Sequence, residues 1–296
     1  MKRNLLTISN SRIKADWIFD GLDVSETTRK DYSARIGYFF SYTHENGFNK
    51  QSCLQFKRHL EKSNYSVSTK NKYLTTARVF LRELVKRGML PPDIIFNVKH
   101  FRQSKKHRKI GLTDKEVQLL GVKLKFLPDT PRNSRLRALF SLLVFQGLRQ
   151  IEIVRLNVED IDLNKKTAYI QGKGEDDKEA IYLAPATIKA LKEYLKSNIV
   201  ESGALFKSMG NRGSDRLSTM TIKREIGEVL KDLGIQKTVH GFRHFYVTEL
   251  LKSMDLRDVR KFSRHRSLEM IMVYDDEVST EQKSKQVFGA MEKFSF

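Results

Sequence analysis

Apolar positions in the first hundred residues recur at spacings of three and four, separated by polar, turn-rich runs. From Thr27 to Tyr42, Tyr32, Ile36, Phe39 and Phe40 lie four, three and one apart, which is one face of a helix. His44-Glu45-Asn46-Gly47 ends it. Gln51 to Lys62 reads as a shorter helix. Ser68 to Lys86 places Tyr73, Leu74, Ala77, Phe80, Leu81 and Leu84 on one face, with Lys70, Lys72, Arg78 and Arg82 elsewhere. Gly88 and Pro91-Pro92 stop that helix. Residues 1–10 read as a loose start, and 1–103 as a small all-α domain.

Beyond residue 111 the pattern becomes mixed. Thr113-Asp114-Lys115-Glu116 is a capping box ahead of Val117 and Leu119-Leu120. Arg135 to Gln146 is a strongly apolar helix with Gly147 at its end, and a short helix carrying Arg149 and Glu152 follows. Thr167–Gln171 and Ala180–Leu183 alternate as strands around the polar turn 172–177, which predicts a β-hairpin. Pro185–Ser197 and Ser218–Leu233 are helices, the first with proline near its start and the second ended by Gly234. His240-Gly241-Phe242-Arg243-His244 opens a further helical pattern with both histidines and the arginine on one side. The expected fold is mostly α with a small β-hairpin (α+β): a helical domain over 1–103, a polar linker over 104–111, and a second domain over 112–296.

Composition adds a partner. A chain of 296 residues has room for two domains, and 40% hydrophobic with 10% aromatic residues is enough for real cores. The formal net charge of +20 points to a polyanion, most simply nucleic acid. The excess is concentrated early, with 19 basic against 9 acidic residues over 1–103. Lys105, Lys106, Arg108 and Lys109 add a run of one sign in the linker, which suits phosphate binding. These four, with Lys70, Lys72 and Arg78, are the candidate DNA-binding residues. Cys53 is the single cysteine, which excludes an internal disulfide framework and a Cys-based zinc site. No apolar run is long enough to span a bilayer and no secretion signal opens the chain, so a cytoplasmic location is expected.

Gly147-Leu148-Arg149 with Glu152, Lys173 in the hairpin turn, His240-x-x-Arg243-His244, His265 and Tyr274 resemble the signature of the tyrosine recombinases, the phage integrase family. The resemblance covers essentially the whole chain. It implies a helical core-binding domain ahead of a catalytic domain that acts on double-stranded DNA, and a simple Xer, Cre or transposon-resolvase type without an arm-site module. Arg149 and Arg243 would clamp the phosphate where charge develops. His240 and His265 would hydrogen-bond the same oxygens, and Lys173 would protonate the departing 5′ oxygen. Tyr274 would attack, leaving a 3′-phosphotyrosyl link. No metal, nucleotide or other cofactor is required, and the chain has no Walker-type glycine loop.

Each residue also has a plainer reading. Arg149 could only pair with Glu152, which otherwise serves to orient it. Lys173 in a polar turn would ordinarily be solvated. His240 and His244 have zinc-compatible spacing, but Gly241 stands where a metalloprotease helix has glutamate; His244 reads as a supporting core histidine. Tyr274 could be a core aromatic beside Ile271, although its nine-residue spacing from His265 argues against that. Ser263-Arg264-His265 replaces the usual Leu-Gly-His and brings an extra arginine. Asp275, Asp276 and Glu277 would hold the Tyr274 proton and oppose the DNA backbone. Val287, Phe288, Met291 and Phe294 would form a tail helix that docks on a neighbouring protomer, giving a tetramer on DNA. Type IB topoisomerase-like cleavage without exchange, and a DNA-binding protein without catalysis, remain alternatives.

Overall fold

The computed structural model describes residues 12–95, 98–103, 111–172, 174, 176–208 and 216–275. The chain divides into two compact units, Met1–Lys105 and Lys106–Phe296. Lys105, Lys106, Arg108, Lys109, Lys173, Asp276, Glu277 and the tail positions Val287, Phe288, Met291 and Phe294 lie outside the described residues or their described contacts.

The first unit holds α1 (Arg12–Asp20), α2 (Glu26–Asn46), α3 (Ser52–Lys62) and α4 (Val67–Lys86), then a single 3₁₀ turn at Pro92–Ile95. Ser25 and Ser66 start α2 and α4 by accepting the Thr28 and Thr69 amides. The apolar faces read from the sequence meet here, with Phe19, Ile36, Phe39, Phe56, Leu74, Phe80 and Leu81 in one core. Tyr32 and Tyr73 pack at its margin and are only partly buried.

The second unit opens with α5 (Asp114–Lys125), whose capping box is closed in both directions by Thr113 and Glu116. Then come α6 (Pro131–Phe145), α7 (Gln150–Arg155), the strands β1 (Ile161–Asp162), β2 (Thr167–Gln171) and β3 (Lys178–Tyr182), and α8 (Pro185–Asn198). The chain continues through α9 (Thr219–Asp232), α10 (His240–Leu251), α11 (Leu256–Ser263) and α12 (Glu269–Asp275). From Ser134 to Val144 every residue of α6 but Arg137 is buried, and α5, α8, α9 and α10 pack around it. A buried Arg135–Glu225 ion pair ties α6 to α9. Such a pair fixes register more than it adds stability.

Three elements differ from the sequence reading. The hairpin is a three-stranded antiparallel sheet of order β1-β2-β3, and the two-residue β1 is too short to leave a periodic signal. β3 begins at Lys178, paired with Gln171, because this mostly exposed strand has no burial alternation to mark its start. Arg149 is the N-cap residue of α7 and lies just outside the helix. Among the described residues no helix is long and apolar enough to cross a membrane. Nor do those residues gather three or more His, Cys, Asp or Glu side chains as a metal site.

Candidate active site

The turn from α6 to α7 is the point of construction. Gly147 has φ +57°, and a Cβ there would lie 2.2 Å from Tyr246 Cδ1. Only glycine combines that backbone with so close an approach. The turn presents Gly147 O to α10, where Arg243 Nη1 donates to it at 2.7 Å. Arg243 Nη2 donates to Ser263 O at the end of α11. With 2% of its surface exposed, this arginine joins the α6–α7 turn to the His265 loop. Burial and the charge of Arg149 push its guanidinium down to about 9, which leaves it charged at neutral pH.

Arg149 is held by Glu152. Its backbone amide donates to Glu152 Oε2 at 2.8 Å, and its Nη1 donates to Oε1 at 2.6 Å. The Glu152 side chain is fully buried, so this is no solvated surface pair. Burial opposes its ionisation, but Arg264, the Arg149 amide, Arg243 and Arg149 together outweigh that and hold its pKa below the usual carboxylate value. Arg264 Nη2 reaches Glu152 Oε2 at 3.2 Å, so the extra arginine shares the same carboxylate.

His265 is buried beside Arg243. Its Nδ1 lies 2.7 Å from Ser263 Oγ, and its Nε2 lies 3.4 Å from Arg243 Nη2. An arginine only donates, which assigns the proton to Nδ1 and leaves Nε2 as acceptor. Burial and the charges of Arg243, Arg149 and Arg264 push His265 down to about 3. Its ordinary value is 6.5, which the unfolded chain keeps, so between these values the unfolded state binds the extra proton. Stability from this residue is therefore present above the unfolded value and falls with pH, by at most about 1.4 kcal/mol per pH unit. In DNA-free protein, His265→Gln is expected to flatten the acid limb of urea midpoints measured against pH. An unchanged slope would contradict the buried neutral imidazole.

The helix bearing His240, Arg243 and His244 divides their surroundings. His240, in the first turn of α10, is exposed and lines a cleft of about 310 Å³ with Leu148, Arg149 and Arg243. His244 is 1% exposed and turns toward Tyr274, with ring centroids 4.5 Å apart. Tyr274, on α12, is 5% exposed and lies 5.8 Å from the His265 ring. It packs with Val247, Leu251, Val259 and Ile271, so the core-aromatic reading that spacing argued against does describe its packing. That packing sets the ring against both histidines.

On either side of position 173, the backbone is tied down by arginines. Arg155 Nη1 donates to Gly172 O at 2.6 Å, and Arg266 Nη2 donates to Gly174 O at 3.0 Å. Neither Arg155 nor Arg266 stood out in the sequence, because contacts to carbonyls leave no residue-type signature. Ser263 is visible in the sequence as a departure from the usual leucine, but its contact to His265 is not. Arg257, Arg260, Lys261, Arg264, His265 and Arg266 line a second, basic cleft of about 640 Å³ with Glu179.

In the first unit, Lys72 is exposed and lines a cleft of about 230 Å³ with Arg35, Asn71 and Thr75. Lys70 Nζ donates to Glu61 O at 2.9 Å, closing the end of α3. Arg78 is half-buried, and its charge acts on His100 and Cys53. Arg35, missed from the sequence because it pairs with Asp31 at i,i+4, shares the cleft of Lys72.

Comparison with known proteins places this arrangement. The tyrosine recombinase XerA of Thermococcus kodakarensis is 27% identical over 232 residues, covering 76% of this chain and 77% of that one. XerA of Pyrococcus horikoshii is 25% identical over 281 residues, covering 91% and 88%. A solved structure of the XerH site-specific recombinase bound to a palindromic difH substrate has the same fold, with a TM-score of 0.72 at 19% identity over 96% of this chain and 85% of that one. The model of the phage integrase family matches residues 111–281, more than half of the chain and all of the described second unit. The chain therefore belongs to the phage integrase family, the tyrosine recombinases.

Proposed function

We propose that the protein is a site-specific recombinase that cuts and rejoins duplex DNA through a covalent bond between Tyr274 and a 3′ phosphate. One observation carries this reading: Arg243 lies within 3.4 Å of His265, whose ring faces Tyr274. Tyr274 Oη would attack the phosphorus and break its bond to the 5′ oxygen. The tyrosine proton goes to a base, and the leaving oxygen takes one from an acid, for which Lys173 is the candidate. Reversal by the 5′ hydroxyl of another strand restores the phosphodiester without a nucleotide. Arg149 and Arg243 stabilise the charge on the non-bridging oxygens, and His240 reaches the same cleft. His265, neutral and with Nε2 turned to Arg243, orients that guanidinium for the phosphate.

The first unit would act as the core-binding domain, gripping phosphates with Lys72 and the basic linker. The second unit would be the catalytic domain. A cytoplasmic protein working as a homotetramer on paired DNA sites, joined through the tail, fits this reading; XerH, by its description, binds a palindromic substrate.

The test uses duplexes selected for binding from a random-sequence pool, placed twice in a linear substrate in buffer with a chelator. Recombinant-length products without metal or ATP are expected. Relaxation of a supercoiled plasmid without recombinants would support the topoisomerase-like alternative. Binding with neither product would leave a DNA-binding protein.

A further inference from the structure

Arg264 is the extra arginine of Ser263-Arg264-His265, and its surroundings are unfavourable for a residue kept for stability alone. It has φ 54° and ψ 48°, the left-handed conformation in which glycine is preferred. Its side chain is 7% exposed, yet its Nε is buried without a hydrogen-bond partner. Both features disfavour the folded state. One of its terminal nitrogens serves its own helix and the other is directed at the site. Nη1 donates to Phe262 O at 3.1 Å, and Nη2 faces Glu152 Oε2 at 3.2 Å and Gln146 O at 3.5 Å. Arg149 Nη2 in turn donates to Arg264 O at 3.5 Å.

The consequence lies in how Glu152 is shared. With glycine at 264, Arg149 would be left as the one arginine bonded to the buried carboxylate among the described contacts, and the carboxylate would offset its charge. Arg264 shares Oε2 with the Arg149 amide while the Arg149 side chain bonds Oε1, so the carboxylate's charge is divided between two guanidinium groups. The cluster of Arg149, Arg243 and Arg264 around one carboxylate is also left with net positive charge.

We infer that Arg264 is a positioning residue for strand cleavage, drawing the charge of Glu152 away from Arg149 so that Arg149 can serve the scissile phosphate. The inference rests on the recombinase reading above. It differs from a direct phosphate contact, because Arg264 acts through Glu152. It also differs from a helix cap, because a glycine would cap α11 better.

The experiment measures single-turnover adduct formation on a nicked, binding-selected duplex, alongside site affinity and thermal midpoint, for wild type, Arg264→Gly and Arg264→Lys. Arg264→Gly is expected to lower the thermal midpoint, because it strips the buried Glu152 carboxylate of one of its cations, and, on fully bound duplex well below that midpoint, to slow adduct formation about tenfold. Arg264→Lys, which keeps the charge without the planar fork, should recover part of the rate. A duplex with a methylphosphonate at the scissile position carries less charge for the clamp to meet. On it the gap between wild type and Arg264→Gly should shrink. Adduct formation by Arg264→Gly at the wild-type rate would overturn the inference, and so would an equal deficit on both duplexes, which marks a structural role. Absence of an adduct from the wild type itself would instead overturn the recombinase reading on which it rests.

Discussion

Gly147→Ala is expected to destabilise the second unit by about 2–5 kcal/mol, the sum of a left-handed backbone and an overpacked contact. The added carbon would lie 2.2, 2.6 and 2.9 Å from Cδ1, Cγ and Cε1 of Tyr246. These atoms include the root of the ring, so rotating its far end gives no relief. Tyr246 is half-buried on α10, next to the Val247–Tyr274 cluster, and cannot move without disturbing that packing. The damage also reaches the site, because Gly147 O accepts from Arg243 at 2.7 Å. Urea unfolding of Gly147→Ala and of Gly147→Ala/Tyr246→Ala separates the two contributions. The second substitution removes the clash but leaves φ +57°, so the pair should be less than additive. A single variant within about 0.5 kcal/mol of wild type would contradict this turn.

Much of the fold was legible because helices with a buried face repeat their apolar residues at a fixed period. α2, α4, α8 and α9 were readable within a few residues from that period and from their caps. α6 was readable for a different reason, since it is apolar nearly all round and ends at a glycine with positive φ. What escaped were elements too short or too exposed for periodicity, namely β1 and the first residues of β3.

The site was legible where chemistry dictates residue type. Arginine, histidine and tyrosine at recurring separations stood out in the sequence, and the structure brings Arg149, His240, Arg243, His265 and Tyr274 together from the α6–α7 turn, α10, the loop before α12 and α12. The supports did not stand out. Ser263 orients His265, Arg155 and Arg266 hold backbone carbonyls, and the pairing of Arg264 with Glu152 spans 112 residues of sequence. Contacts of this kind depend on tertiary placement, and many side chains could make them. The candidate DNA-binding residues were the least legible, because Lys70 and Lys72, two residues apart on α4, meet a helix end and an open cleft respectively.

Tyr274→Phe is expected to abolish covalent DNA attachment while leaving the fold intact. The phenyl ring preserves the packing against His244, Val259 and Ile271 and loses only the oxygen that would attack. Binding to DNA should persist, since the basic clefts are untouched. Among the described residues no other tyrosine lines up with His265 and Arg243, so the loss should be complete rather than graded. The decisive measurement incubates wild type and Tyr274→Phe with an end-labelled nicked duplex and separates the products on denaturing gels. A slow-migrating protein–DNA band from wild type alone, carrying the label on the 3′ phosphate side, is the predicted result. A band of equal strength from Tyr274→Phe would contradict the assignment of the nucleophile, and with it the account of the site.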